Sequence, residues 1–155
     1  MKVNKKQVRG MLKVLKNKTT KQRINLQYLS LKDGTITITD GFQLYQFKSE
    51  LTHDGQCHYT EIERWYKLHS AKDNLELDTL EFKDCEINYP GLYRIMDSIP
   101  YKEIESITLN ADFISTATLI LNVDNITLNF TGQHSKIEVS DNENIKGLIL
   151  PVRKQ

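Results

Sequence analysis

Five cations near the start of the chain, Lys5, Lys6, Arg9, Lys13 and Lys16, fall on one side of a helix if the segment is helical. At 100° per residue they occupy a sector roughly 100° wide. At 1.5 Å rise per residue the row from Lys5 to Lys16 runs about 16 Å. Such a row can meet several phosphates of a nucleic-acid backbone, and it carries no group that reads base sequence. Residues 1–32 hold ten Lys and Arg and no acid; residues 33–155 hold the other eleven and all twenty acids. This asymmetry fits an anionic partner for the first element. A basic, solvated helix face accounts for it equally well.

Other chemistry has little footing. His53, Cys57 and His58 lie close together, but their spacing matches no zinc pattern and no fourth ligand is evident, so no metal is expected. Cys57 and Cys85 stand far apart, and no disulfide framework is expected. There is no glycine-rich phosphate loop, GxSxG elbow, HExxH helix or CxxC pair, and Asp40 and Asp112 lack a carboxylate partner in any motif. The expectation is a protein without catalysis or cofactor. The first residues do not read as a signal peptide, and no run of 18 apolar residues occurs. A soluble, cytoplasmic chain with no membrane partner is expected. With 155 residues, 39% of them hydrophobic, the chain can build a real core as one domain.

The basic row needs a helix to hold it. Asn4 can cap one running to about Lys16, with Val8, Met11, Leu12 and Leu15 as its apolar stripe. Gly10 inside it costs up to about 1 kcal/mol of helix propensity. Asn17 to Gln22 reads as a polar connection. Ile24 to Leu44 then reads as strands and turns. Leu26, Tyr28 or Leu29, and Leu31 begin one strand; Ile36 and Ile38 alternate with threonines in the next. Asp33-Gly34 and Asp40-Gly41 are tight-turn signals, and Phe42, Leu44 and Phe47 follow at strand spacing. A three-stranded antiparallel meander is the expectation.

Thr52 to Gln56 reads as a loop. Thr60 and Glu63 form a capping-box pattern for a helix to about His69, burying Ile62, Trp65 and Tyr66. Trp65 suits the core better than a binding surface. Leu75, Leu77, Leu80 and Phe82 suggest one or two strands, and Ile104, Ile107 and Leu109 a short one. Asn110 caps a second helix from Ala111 to about Ile120. Strands over 126–130, 136–139 and 145–151 close the chain.

Four segments carry a resemblance. Thr39-Asp40-Gly41-Phe42-Gln43-Leu44, Arg23-Ile24-Asn25-Leu26, Tyr89-Pro90-Gly91-Leu92-Tyr93-Arg94-Ile95 and Leu148-Ile149-Leu150-Pro151-Val152-Arg153 resemble, in order, segments of the bacterial DNA sliding clamp, the beta subunit of DNA polymerase III. The helix after Asn110 is similar to a clamp helix too, although it carries Asp112 and no basic residue.

The resemblance implies an α+β, DNA-clamp-like fold of two helix-plus-antiparallel-meander units. It implies a single domain over 1–155, with half-units at 1–51 and 104–155 and a connecting section at 52–103. It implies a module of DNA replication with two partners. One is DNA, met non-specifically by Lys5, Lys6, Arg9, Lys13 and Lys16. The other is the clamp-binding peptide of replication proteins. Its pocket positions would be Leu26, Thr39, Gly41, Phe42, Gln43, Leu44, Pro90, Ile95, Leu148, Leu150, Pro151, Val152 and Arg153. Leu26, Leu44 and Leu148 fit an ordinary sheet core equally well; Phe42 and the tail from Pro151 to Arg153 fit the pocket better. Such a chain is expected as a monomer or small homo-oligomer. The alternative is a small non-enzymatic regulator that binds nucleic acid through the first helix alone.

Overall fold

The computed structural model describes residues 1–84, 108–130, 136–141 and 145–151. In chain order its elements are β1 (Lys2–Asn4), α1 (Lys5–Leu15), α2 (Lys18–Lys21), β2 (Tyr28–Lys32), β3 (Thr35–Thr39), β4 (Gln43–Lys48), β5 (Gly55–His58), α3 (Tyr59–Leu68), β6 (Asn74–Glu76), α4 (Ala111–Leu121), β7 (Asn129–Phe130), β8 (Ile137–Ser140) and β9 (Ile145–Ile149). Short 3-10 turns cover Ile24–Gln27 and Leu77–Thr79. Among the described residues, no helix is long and apolar enough to cross a membrane.

Asn4 starts α1 by a reciprocal pair. Its Oδ1 accepts from Gln7 N–H at 2.9 Å, while Gln7 Oε1 accepts from Asn4 N–H at 2.9 Å. Two first-turn donors are thereby satisfied. Val8, Met11, Val14 and Leu15 are buried, and Leu12 is half-buried. Asn110 opens α4 by accepting from Asp112 N–H, and Asn122 closes it in the left-handed conformation, φ 55°. The two helices pack together. Gly10 lies where they approach most closely, since a Cβ there would stand 2.6 Å from Ile120 Cγ1. The residue that weakens α1 in isolation is thus the one its packing needs.

Seven strands form one antiparallel sheet in the order β5-β2-β3-β4-β9-β8-β7. The β2–β3 hairpin turns at Asp33 and Gly34, both at positive φ (48° and 68°), as a two-residue turn of matching twist requires. The central join is β4 with β9, in register Leu44↔Leu148 and Phe47↔Ile145. One sheet therefore unites the first and last parts of the chain. Leu29, Leu31, Ile36, Ile38, Tyr45, Phe47, Ile137 and Ile149 join the buried residues of α1 and α4 in a single core. β1 and β6 form a separate two-stranded pair. Trp65 is buried and its indole N–H donates to Thr79 Oγ1 at 2.9 Å, so it belongs to the core.

The structure corrects several local expectations. Asn17 to Gln22 is not merely a connection, since it contains the helical turn α2. Leu26 precedes its strand, in a 3-10 turn. Gly55 and Gln56 are not loop but the start of β5, paired with β2. Gly55 is needed there because a Cβ would meet Phe82 Cβ at 2.9 Å. The Thr60–Glu63 capping box does not form: His58 is the N-cap, its Nδ1 accepting from Thr60 N–H at 3.4 Å. Leu77 lies in a 3-10 turn rather than a strand. The strand expected over 126–130 is shortened to Asn129–Phe130, and that over 145–151 ends at Ile149. The segment Tyr89–Ile95, and Ile104 and Ile107 of the expected short strand, lie outside the described residues.

Candidate functional site

α1 carries its cations outward, between α3 on one side and α4 on the other. Lys6, Arg9, Lys13 and Lys16 are exposed and Lys5 is half-buried. Most of the row has a partner. Lys5 Nζ stands 3.7 Å from Asp73, Lys13 Nζ stands 3.5 Å from Asp112 of α4, and Lys16 pairs with Glu63 of α3. Arg9 Nε donates to Tyr66 Oη at 3.2 Å. The sequence places these cations on one face as expected; the packing sets acids beside three of them.

A second surface forms at the turn between β3 and β4. Asp40 is fully buried and organises it. Its Oδ1 accepts from Phe42 N–H at 2.9 Å and Gln43 N–H at 3.0 Å; its Oδ2 accepts from Asn17 Nδ2 at 2.7 Å and Gln43 Nε2 at 3.1 Å. A buried carboxylate is tolerated only with such donors. Thr39 Oγ1 donates to Gln43 O at 2.7 Å and accepts from Gly41 N–H at 3.0 Å. Gly41 sits at φ 91°, a backbone state that suits glycine. Phe42 is thereby held 43% exposed at the tip. Its ring stacks on Phe113 of α4, centroids 6.3 Å apart and planes 22° apart.

The tail reaches this turn. Gln43 pairs with Ile149 and Leu44 with Leu148, and Leu150 N–H donates to Phe42 O at 2.8 Å. Leu150 and Pro151 are half-buried beside it. Of the pocket positions expected from sequence, Gly41, Phe42, Leu150 and Pro151 therefore meet at one rim. Leu26, Leu44 and Leu148 are buried, at 3–5% exposure, and serve as floor or core. Thr39 and Gln43 turn inward, where Gln43 Oε1 accepts from Tyr45 Oη at 3.0 Å. Both hold the turn rather than face out. Burial, and then the charge of Asp40, push the Tyr45 hydroxyl well above its ordinary pKa, so it remains a donor. Pro90, Ile95, Val152 and Arg153 lie outside the described residues.

Three residues of this rim were not picked out by sequence. Arg23 is exposed, and its Nη1 lies 2.9 Å from where a Cβ on Gly41 would stand. Ile24 beside it is 67% exposed. Phe113 comes from α4. Arg23 and Ile24 belong to a segment whose likeness was seen, so their type and place were visible; Phe113 had no sequence signal.

Little at the metal-like trio suggests chemistry. Cys57 is buried in β5, and its thiol is pushed up to about 11 by burial and then by Glu61 and Glu81, against the pull of Lys83. A thiol so protonated is a poor nucleophile. His58 caps α3, and its Nε2 lies 3.2 Å from Gln27 Oε1. Among the described residues, no three His, Cys, Asp or Glu side chains group as metal ligands would.

No protein-family model and no curated protein matches the sequence. Solved structures match in fold. A DNA polymerase sliding clamp from Pseudomonas aeruginosa, solved with a ligand, superposes with TM-score 0.62 at 10% identity, covering 99% of this chain and 66% of that one. The DNA polymerase sliding clamp from Bacillus subtilis gives 0.59 at 13% identity, covering 100% and 64%. A sliding clamp from Pseudomonas aeruginosa bound to griselimycin gives 0.56 at 12% identity. The chain thus has a sliding-clamp-like α+β fold and spans just under two thirds of the length of the clamps it matches.

Proposed function

We propose that this protein is a clamp-like module of DNA replication that captures short peptides of replication proteins. The observation that carries the proposal is the seating of the tail on the turn: Leu150 N–H bonds Phe42 O, gathering apolar groups from three distant segments at one exposed rim. Such a mixture of apolar floor and free rim suits an extended peptide with one or two large apolar anchors. The clamp-like fold supports this choice of partner over other peptide classes.

The unit is the whole chain, 1–155, with 1–51 and 104–155 as half-units joined through β4 and β9. It binds and does not catalyse, and it works in the cytoplasm beside DNA. Contact with the DNA backbone falls to α1. The acids near Lys5, Lys13 and Lys16 do not forbid it, because exposed ion pairs are worth only about 0–1 kcal/mol and exchange readily for phosphate. The module does not close a ring by itself, since α4 offers DNA no cation. Light scattering should give a monomer or small oligomer with and without duplex; a stable hexamer would contradict this.

The peptide test is direct. A fluorescent peptide of the Gln-x-x-Leu-Phe type should bind with Kd near micromolar, roughly −8 kcal/mol. Phe42→Ala, or truncation after Leu150, should weaken it about tenfold or more, a change of about 1.4 kcal/mol. Unaltered affinity in both variants would remove the groove.

A further inference from the structure

On the premise that this rim seats a peptide, we infer that it selects peptides carrying acidic residues beside their apolar anchor. The selecting groups are Lys18, Lys21 and Arg23. All three are exposed. Among the described residues, the ion pairs found involve Met1, Lys5, Lys13 and Lys16 of the first 32 residues and none of these three.

The backbone that carries them is held beside the turn. α2, which bears Lys18 and Lys21, is tied to the β3–β4 turn by Asn17 Nδ2 on Asp40. The buried Thr20 hydroxyl lies 2.9 Å from Leu15 O and 2.6 Å from Asn17 O, and Gln27 Nε2 bonds Thr20 O at 3.0 Å. The backbone under the two lysines is therefore preorganised, which reduces the entropy lost on binding. Arg23 lies directly against Gly41, and a guanidinium there offers a carboxylate two parallel donors.

The neighbours of these cations favour peptide over nucleic acid. Ile24 and Phe42, two of the three large apolar residues most exposed among those described, lie in the same stretch and at the same turn. A phosphate backbone would leave both wet. An acidic peptide with an apolar anchor covers them and neutralises the cations together.

The test is fluorescence anisotropy in about 0.15 M salt, a Debye length of about 8 Å. The probes are a Gln-Ala-Ser-Leu-Phe core flanked by three Asp on its N-terminal side, by three Asp on its C-terminal side, or by three Ser on both. A 12-nucleotide single strand is the fourth probe. One Asp-flanked peptide should bind about tenfold more tightly than the Ser-flanked one, the sum expected of three exposed ion pairs. The double variant Lys18→Ser, Lys21→Ser should lose most of that advantage and retain Ser-flanked binding. Equal affinity for Asp and Ser flanks would overturn selectivity and leave the groove standing. A preference that survives the double variant would overturn the assignment to α2. Tighter binding of the single strand, lost in the variant, would make this a nucleic-acid surface instead. Failure of every peptide would overturn the groove and the inference with it.

Discussion

α1 and α2 are adjacent and both basic, yet they meet solvent differently. Three cations of the α1 row, Lys5, Lys13 and Lys16, stand beside Asp73, Asp112 and Glu63, brought there by packing against its neighbours. Those of α2 sit on a short turn whose own backbone is pinned through Asp40 and Thr20. The sign of the charge read along the sequence is the same in both cases. Which cations are available to a partner is decided by what the fold lays across them, and here that favours a screened row on α1 and an open cluster on α2.

The largest expected effect separates the two by charge reversal. Arg9→Glu with Lys13→Glu should cost duplex binding about 100-fold or more at low salt, because it removes phosphate contacts and adds repulsion. Gel-shift titration measures it. If reversal at Lys18 and Lys21 costs more than reversal on α1, the roles given to the two regions are exchanged.

Next comes the tether. Asp40→Ala leaves the Phe42, Gln43 and Asn17 donors without their acceptor, that of Gln43 buried, and should cost about 3 kcal/mol of stability. Urea unfolding should show it, with peptide affinity falling too. A loss under about 1 kcal/mol would mean that α2 does not depend on the turn.

A smaller effect follows pH. Burial lowers the His58 pKa below its ordinary 6.5, with Glu61 opposing. The unfolded chain therefore takes up the proton first. His58 contributes its full stability above about pH 6.5, and the contribution is lost as pH falls through the folded value. Protonation also removes the Nδ1 acceptor that caps α3, the helix beside α1. Thermal melts of the parent should decline below pH 6.5 more than those of His58→Asn; parallel curves would clear His58 of the role.

The smallest effect tests the screening itself. A double-mutant cycle on Lys16→Ala and Glu63→Ala should return a coupling of about 0.5 kcal/mol. A coupling above about 2 kcal/mol would mean that α3 holds the row closed rather than merely shading it.

Much of this was legible where a residue's local chemistry decides its structure. Asn4, Asp33-Gly34 and Asn110 act within their own turns, and each does what its type dictates. Where competition enters, sequence is ambiguous. Thr60 and Glu63 could have capped α3, but His58 stands two positions earlier, at the end of β5, and takes the role, while Glu63 reaches Lys16 instead. Gly55 to His58 shows no apolar alternation; it becomes a strand because β2 offers it a ladder. At the candidate site, the Asp40-Gly41 turn was visible, whereas the inward turn of Gln43 and the arrival of Phe113 depend on β4, β9 and α4 having met.

The join of β4 to β9 also sets a schedule. Gln43 and Ile149 are neighbours across the ladder and lie far apart in the sequence. Closing so long a loop slows folding, since its entropy is lost before the contact is gained. During synthesis β4 remains an unpaired edge until β9 leaves the ribosome, and such an edge invites pairing with other chains. A fragment ending before Ile145 would bury no Leu44 against Leu148, so the sheet is complete only once β9 has been made.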